Sequence, residues 1–199
     1  MKVLVACEES QVVCNAFRAR GHEAYSCDIL PTRGAHPEWH IQDDVLKHLN
    51  DGWDLMVAHP PCTYIANSGA RWQSDPDRTM KISDARDFFY ELLNSQRLHG
   101  IPRICVENPI PNYRLYDNGL IEKYDQIIQP WQFGHGETKA HCLWLKDLPK
   151  IIPTNIVEGR EHRVHKMAPG PNRARERAVT FRGIAEAMAE QWGKQVKHP

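Results

Sequence analysis

Two short stretches hold the side chains best suited to chemistry. "AHPPCTYI" (58–65) sets Cys62 directly after two prolines at the end of an apolar run, and "CVENPIP" (105–111) sets Glu107 and Asn108 at the end of another. Pro60 and Pro61 fix two φ angles and remove two backbone donors, so a central strand cannot continue through them and Cys62 is held rather than loose. Glu107 follows apolar residues and precedes Asn108-Pro109, which places a carboxylate at a strand exit instead of on a solvated helix face. A carboxylate there needs a partner or a task, and burial can raise its pKa until it shares a proton near neutral pH. A thiolate beside such an acid suits attack on an electron-poor ring carbon: sulfur adds, and the acid neutralises charge building on a ring nitrogen. Pyrimidines pose this problem, because C5 is a poor nucleophile until a group has added at C6. The two residues alone do not name the ring, and each has a plainer role open to it. A free cysteine is commonly buried as a small hydrophobe, and a carboxylate can cap or pair within a loop.

The elements around these stretches follow from periodicity. Residues 2–7 read as a buried strand, 9–20 as a helix with Val12, Val13, Ala16 and Phe17 on one stripe, and "HEAYSCDI" as a strand closing at Asp28. "IQDDVLKHLN" has room for a short helix, "WDLMVA" is the strand that delivers Cys62, and 66–80 reads as an irregular loop. A longer helix is expected over 81–95, a strand in "PRICVE", two further strands at 127–133 and 142–145, and a last helix over 182–192. Strand, helix, strand in repetition predicts an α/β fold with a mostly parallel sheet covered on both faces. Chemistry in such sheets gathers beyond the carboxyl ends of the strands, where Asp28, Cys62 and Glu107 all fall.

Apolar residues make up 41% of the 199 and charged residues 25%, a globular composition with zero formal net charge. That balance argues against a protein held on DNA by bulk charge, while leaving room for a local basic face such as "GREHRVHK" and "PNRARER". "KVLVAC" is far too short for a membrane span and no signal-peptide pattern follows it, so a cytoplasmic chain without membrane contact is expected. The six cysteines include no C-x-x-C pair and are expected as free thiols. His135, His141 and Cys142, or His162 and His165, lack the ligand spacing of a zinc site, so no metal is expected. Trp39 or Trp72 could stack on adenine or a base, with Trp53, Trp131 and Trp144 in the core.

Taken together, the Pro-Pro-Cys loop and the Glu-Asn strand end resemble the two signature motifs of the DNA cytosine-C5 methyltransferases, in the same order and with a helix between them. The resemblance implies a Rossmann-like, mostly parallel sheet flanked by helices, of the S-adenosylmethionine-dependent methyltransferase type. It implies one domain over 1–199, with an irregular basic insertion at about 146–182. Cys62 would add to cytosine C6, Glu107 would hold and protonate the N3 edge, Asn108 would brace the loop, and Pro61 with Pro60 would orient the thiol. S-adenosyl-L-methionine is the implied cofactor. Asp28 would grip its ribose hydroxyls and Asp43 or Asp44 would lie near its adenine amino group, with Cys7, Glu8, Ser10, Ile29, His59 and Pro60 lining the same site.

Tyr64 and Asn67 would line the base pocket, and Arg173, Arg175 and Arg177 would contact phosphates. Lys139 stands where that family carries a Gln-x-Arg-x-Arg pattern. Where the family has a glycine-rich first loop, this chain has "ACEESQ", with no glycine until Gly21, so Glu8, Glu9 and Ser10 must form a different loop. The stretch in the place of a target-recognition region is short. DNA with a short or relaxed site is therefore the expected partner, or a protein supplies the specificity. Two alternatives stay open: modification of a free cytosine nucleotide by the same Cys/Glu chemistry, and a catalytically inactive DNA- or protein-binding relative.

Overall fold

The computed structural model describes residues 1–68, 76–116 and 119–194. Among the described residues seven strands form one sheet: β1 (Lys2–Ala6), β2 (Glu23–Asp28), β3 (His40–Gln42), β4 (Leu55–Ala58), β5 (Arg103–Asn108), β6 (Gln126–Ile128) and β7 (His141–Lys146), in the order β3-β2-β1-β4-β5-β7-β6. The first five in sequence pair in parallel, and β7 runs antiparallel to both β5 and β6. This is the Rossmann-like, mostly parallel arrangement that the strand–helix repetition predicts. The direction of chain order reverses between β1 and β4. A crevice therefore opens beyond their carboxyl ends, where ligands bind in open α/β sheets.

Both faces of the sheet are covered, which explains the unbroken apolar runs in β1, β4 and β5. Side chains alternate across the pleat. Val3 and Val5 pack with Phe17 of α1 (Val12–Arg18) and with Met188 and Trp192 of α6 (Arg182–Trp192). Leu4 and Met56 face the other layer, with Phe89 of α2 (Pro76–Leu93) and Trp144. Full burial of each such aliphatic side chain contributes about 1.5–3 kcal/mol. Between α2 and β5 lies the short α3 (Ser95–His99), and two short helices, α4 (Arg163–Lys166) and α5 (Arg173–Ala178), precede α6. Among the described residues no helix is long and apolar enough to cross a membrane.

Several boundaries differ from the periodicity. Helix α1 begins at Val12 and not at 9, because Gln11 takes a left-handed φ of 59° and the Glu8 carboxylate accepts the Val13 and Cys14 amides at 2.8 and 3.1 Å. Those bonds satisfy helix-end donors and turn 8–11 into a tight loop. "IQDDVLKHLN" yields β3 and a 3-10 turn over Val45–His48, capped by Asp44 Oδ1 accepting from the Leu46 amide at 3.0 Å. The strand expected over 127–133 is cut at Ile128, since Pro130 cannot donate to a ladder. Helix α2 starts at Pro76, five residues early, with proline in the first turn where its missing N–H costs nothing.

Candidate active site

Cys62 leaves β4 through His59, Pro60 and Pro61. Its carbonyl accepts the Ile65 and Ala66 amides at 3.2 and 2.9 Å, so the thiol heads a helical turn instead of a loose loop. Asn108, at the end of β5, donates from Nδ2 to the Pro60 carbonyl at 2.8 Å. That bond ties the cysteine loop to the strand carrying Glu107. Pro60 is buried, Pro61 exposed, and Cys62 half-buried. Burial and then the Glu107 charge push the thiol above its ordinary pKa, while Lys139 and Arg177 pull it down. Sulfur, carboxylate and two cations therefore share one electrostatic neighbourhood.

Glu107 is 8% exposed, and both of its oxygens are engaged. Oε1 accepts from His141 Nδ1 at 2.6 Å and Oε2 from His59 Nδ1 at 3.0 Å. Burial alone would raise this carboxyl, as the sequence suggests. The two imidazoles outweigh burial and hold it well below the usual carboxylate range. The expected proton-sharing carboxyl is thus an ionised one: a carboxylate accepting charge-favouring hydrogen bonds loses its proton more readily. His141 is 1% exposed, and burial lowers its own pKa, so near pH 7 it donates as a neutral imidazole. The Nε2 atoms of His59 and His141 and the Oδ1 of Asn108 are buried, with no hydrogen-bond partner among the described residues.

The other residues expected at a cofactor site line the ends of β1, β2 and β3. Cys7 has a left-handed φ of 58°, and its thiol is raised by burial and then by Asp28. Glu8 turns inward, holding the α1 amides and accepting from Ser10 Oγ at 3.1 Å; burial raises its pKa and the neighbouring His59 lowers it. Asp28 is raised by burial and has one oxygen on the Leu30 amide at 2.9 Å. Ile29 beside it is 72% exposed, an apolar surface next to a carboxylate. Asp43 is bound by Lys47 at 2.7 Å, and Asp44 caps the turn after β3. The chemistry of this set fits a nucleoside: a carboxylate for a ribose diol and an adjacent apolar face for a flat ring. Gln11 replaces the missing glycines by reaching across to His36, donating to its carbonyl at 2.7 Å and accepting its amide at 3.2 Å. The glycine this packing needs is Gly34, where a Cβ would lie 2.0 Å from Gln11 Oε1.

The basic segment folds back on this rim. Arg175 clamps Glu9 through Nε and Nη2, and Arg33 adds a bond to Glu9 at 2.9 Å. Arg173 gives Nε to the Met167 carbonyl at 2.8 Å. Lys139 donates to the Arg177 carbonyl at 2.7 Å, with its pKa lowered by burial. Arg173, Arg175 and Lys139 are thus engaged with the protein itself, and the charges of Lys139 and Arg177 reach the thiol. A cavity of about 440 Å³ opens here, lined by Val12, Arg33, Arg163, Arg177 and Phe181 among others.

Tyr64 lies under the Arg78 guanidinium at 4.9 Å, and Asn67 is exposed, with its amide on the Ile110 carbonyl at 2.9 Å. Trp39 stacks on His36 at 3.7 Å, Trp53 and Trp144 are buried, and Trp131 is half-exposed beneath Arg160. Trp72 lies outside the described residues. Sequence reasoning missed His141 as a partner of Glu107 and put His59 with the cofactor. The signal was present in "AHPPC" and "KAHCLW": each histidine abuts a strand end facing the end of β5.

No family model matches the sequence, and no curated protein matches it. Among solved structures, a prophage-encoded E. coli protein assigned as a DNA modification methyltransferase superposes with a TM-score of 0.51 at 12% identity, over 85% of this chain and 55% of that one. The S. pombe Dnmt2 methyltransferase gives 0.48 at 15% identity, over 83% and 53%, and the Entamoeba histolytica methyltransferase EhMeth gives 0.44 at 13%, over 86% and 61%. The chain spans between 53% and 61% of the length of these structures. Sheet order and the first of these likenesses define the fold class as the Rossmann-like fold of S-adenosylmethionine-dependent methyltransferases.

Proposed function

We propose that this protein transfers a methyl group from S-adenosylmethionine to carbon 5 of cytosine in DNA through a covalent bond between Cys62 and C6. One observation carries the reading: Asn108 binds the Cys62 loop to the strand that carries Glu107, so thiol and carboxylate act on one another at the crevice of a methyltransferase fold. The prophage-encoded E. coli protein that shares this fold is assigned as a DNA modification methyltransferase, which agrees with DNA as the substrate.

Each residue then has a physical task. Lys139 and Arg177 favour the thiolate against burial and the Glu107 charge. The thiolate adds to C6, which makes C5 nucleophilic, and Glu107 with its two histidines meets the N3 edge. Asn108 keeps the sulfur in line; a misplacement near 1 Å costs about 10²-fold in rate. Asp28 and Ile29 would hold the ribose and adenine of the cofactor, whose chemical contribution is an electrophilic methyl group. A target base in duplex DNA must first leave the stack, at a cost of a few kcal/mol.

The test is incubation of the protein with duplex DNA and methyl-labelled S-adenosylmethionine, followed by nucleoside analysis. Labelled 5-methyldeoxycytidine is the expected product. Label on added deoxycytidine monophosphate but not on DNA would move the substrate to a free nucleotide. Label on neither would refute methyl transfer to cytosine.

A further inference from the structure

We propose, resting on the methyl-transfer reading above, that residues 160–178 form a strap that closes over the cofactor crevice, with Glu9 and Arg175 as its clasp. In closing, it sets Lys139 beside the Cys62 thiol. One end of the strap is held on the thiol side. The Thr138 amide donates to the Glu161 carbonyl and the Glu161 amide to the Gly136 carbonyl, each at 2.9 Å, and Arg163 gives Nε and Nη2 to Glu137 Oε1 at 3.0 and 2.8 Å. The other end is held on the cofactor side, where Arg175 Nε and Nη2 donate to Glu9 in the loop after β1 and Arg33 adds its bond at 2.9 Å. Asp28, raised chiefly by burial, also feels the charges of Glu9 and Arg175, so the clasp lies beside the carboxylate proposed for the ribose. Between the two ends, the cavity of about 440 Å³ is walled by Arg163, Val164 and Arg177 of the strap together with Val12 and Arg33 of the rim.

Charge and hydrogen bonds hold this segment, not a core. Among the described residues α5 buries no side chain and α4 buries only Val164. A segment with so few buried apolar contacts opens at a fraction of the global unfolding free energy. The clasp is stronger than an exposed pair, because Glu9 is 12% exposed and accepts from two guanidinium groups. Its carboxyl is held below the ordinary range by the Arg175 bond first, with burial opposing. Closure also reaches the thiol. Lys139 donates to the carbonyl of Arg177, two residues beyond the clasp, at 2.7 Å. Burial and the Glu107 charge push the Cys62 thiol up, and Lys139 and Arg177 oppose them, so a lifted strap takes away Arg177 and frees Lys139. Cofactor that touches the closed strap favours the state in which the sulfur has both positive charges beside it, and that state favours cofactor by the same factor.

The test begins without cofactor, by limited trypsin digestion read by mass spectrometry. Cleavage after Arg173 and Arg177 follows the open population of the strap. Glu9→Gln keeps the shape of the clasp and removes its charge, so cleavage there should be about 10-fold faster or more than in the wild type. Equal rates overturn the clasp, whatever the reaction. Arg175→Gln and the double variant complete a cycle. S-adenosylmethionine should dissociate faster from each single variant, and no faster from the double variant than from the worse single one. Additive effects would show that the two residues act apart, and overturn the clasp. In the wild type S-adenosylmethionine should protect the strap from trypsin. Binding without protection overturns closure over the cofactor. No binding at all, with Glu9→Gln still cut faster, overturns the methyl-transfer reading and closure with it, while the clasp stands. Covalent capture of 5-fluorocytosine DNA at saturating cofactor reads the link to the thiol. Capture should be severalfold slower in Glu9→Gln, and a wild-type rate overturns that link.

Discussion

Glutamine in place of Glu107 preserves shape and removes the charge on which two histidines converge. It offers one acceptor and one NH₂ to two imidazole N–H groups. One bond survives as a neutral one. The other becomes donor against donor, unless His59 or His141 moves its proton to Nε2, where no partner waits among the described residues. Each bond to a charged group contributes about 1.5–3 kcal/mol and the surviving neutral bond about 0.5–1.5 kcal/mol. Relief from burying a carboxylate offsets part of the loss, leaving a destabilisation of about 2–4 kcal/mol at pH 7. For a chain of this size that lowers the thermal midpoint by about 4–16 °C.

The pH dependence has a definite sign. Glu107 lies well below its unfolded value in the folded state, so its contribution is complete above about pH 4.3 and is lost as pH falls through the folded pKa. His141 is also lowered by burial. The unfolded chain therefore takes a proton near pH 6.5 that the folded chain refuses, and stability falls as pH drops below about 6.5. Glu107→Gln should lose the first window and steepen the second, since its His141 no longer has a carboxylate to hold the proton. Urea unfolding followed by tryptophan fluorescence between pH 3 and 8 reads both. A variant within about 0.5 kcal/mol of wild type at pH 7, with an unchanged acid limb, would refute the histidine–carboxylate account.

Other outcomes follow from the same geometry. Asn108→Ala strips the buried Pro60 carbonyl of its donor, an expected loss of about 1–3 kcal/mol in urea unfolding. It should also slow covalent capture of DNA by about 10²-fold, and an unchanged rate would show that the bond does not aim the sulfur. Asp28→Ala removes the carboxylate at the end of β2 and should weaken S-adenosylmethionine binding by about 1.5–3 kcal/mol, roughly 10- to 150-fold in Kd by calorimetry. Wild-type affinity in that variant would move the ribose elsewhere.

What could be read from the sequence was what local chemistry decides. The apolar runs in β1, β4 and β5, the proline exit before Cys62 and the stripe on α1 each follow from neighbours in the chain, and the mostly parallel sheet follows from their repetition. What could not be read was set by contacts between distant residues. Glu107 looks like a raised carboxyl when only its apolar flank is considered. Its state reverses because His59, 48 residues earlier, and His141, 34 residues later, meet its two oxygens. The glycine-poor loop is similar: Gln11 packs against Gly34 and bonds to His36, a contact between two loops that neither announces alone. Arg175 reads as a free cation until Glu9, 166 residues away, takes it.

The central claim concerns the Cys62 sulfur, and covalent trapping tests it most directly. Duplex DNA carrying 5-fluorocytosine, which cannot lose a proton from C5 after methylation, is incubated with the protein and S-adenosylmethionine and resolved on a denaturing gel. The account predicts a band at the mass of protein plus DNA, dependent on cofactor and lost in Cys62→Ser. No such band for the wild type, or its persistence in Cys62→Ser, would contradict it.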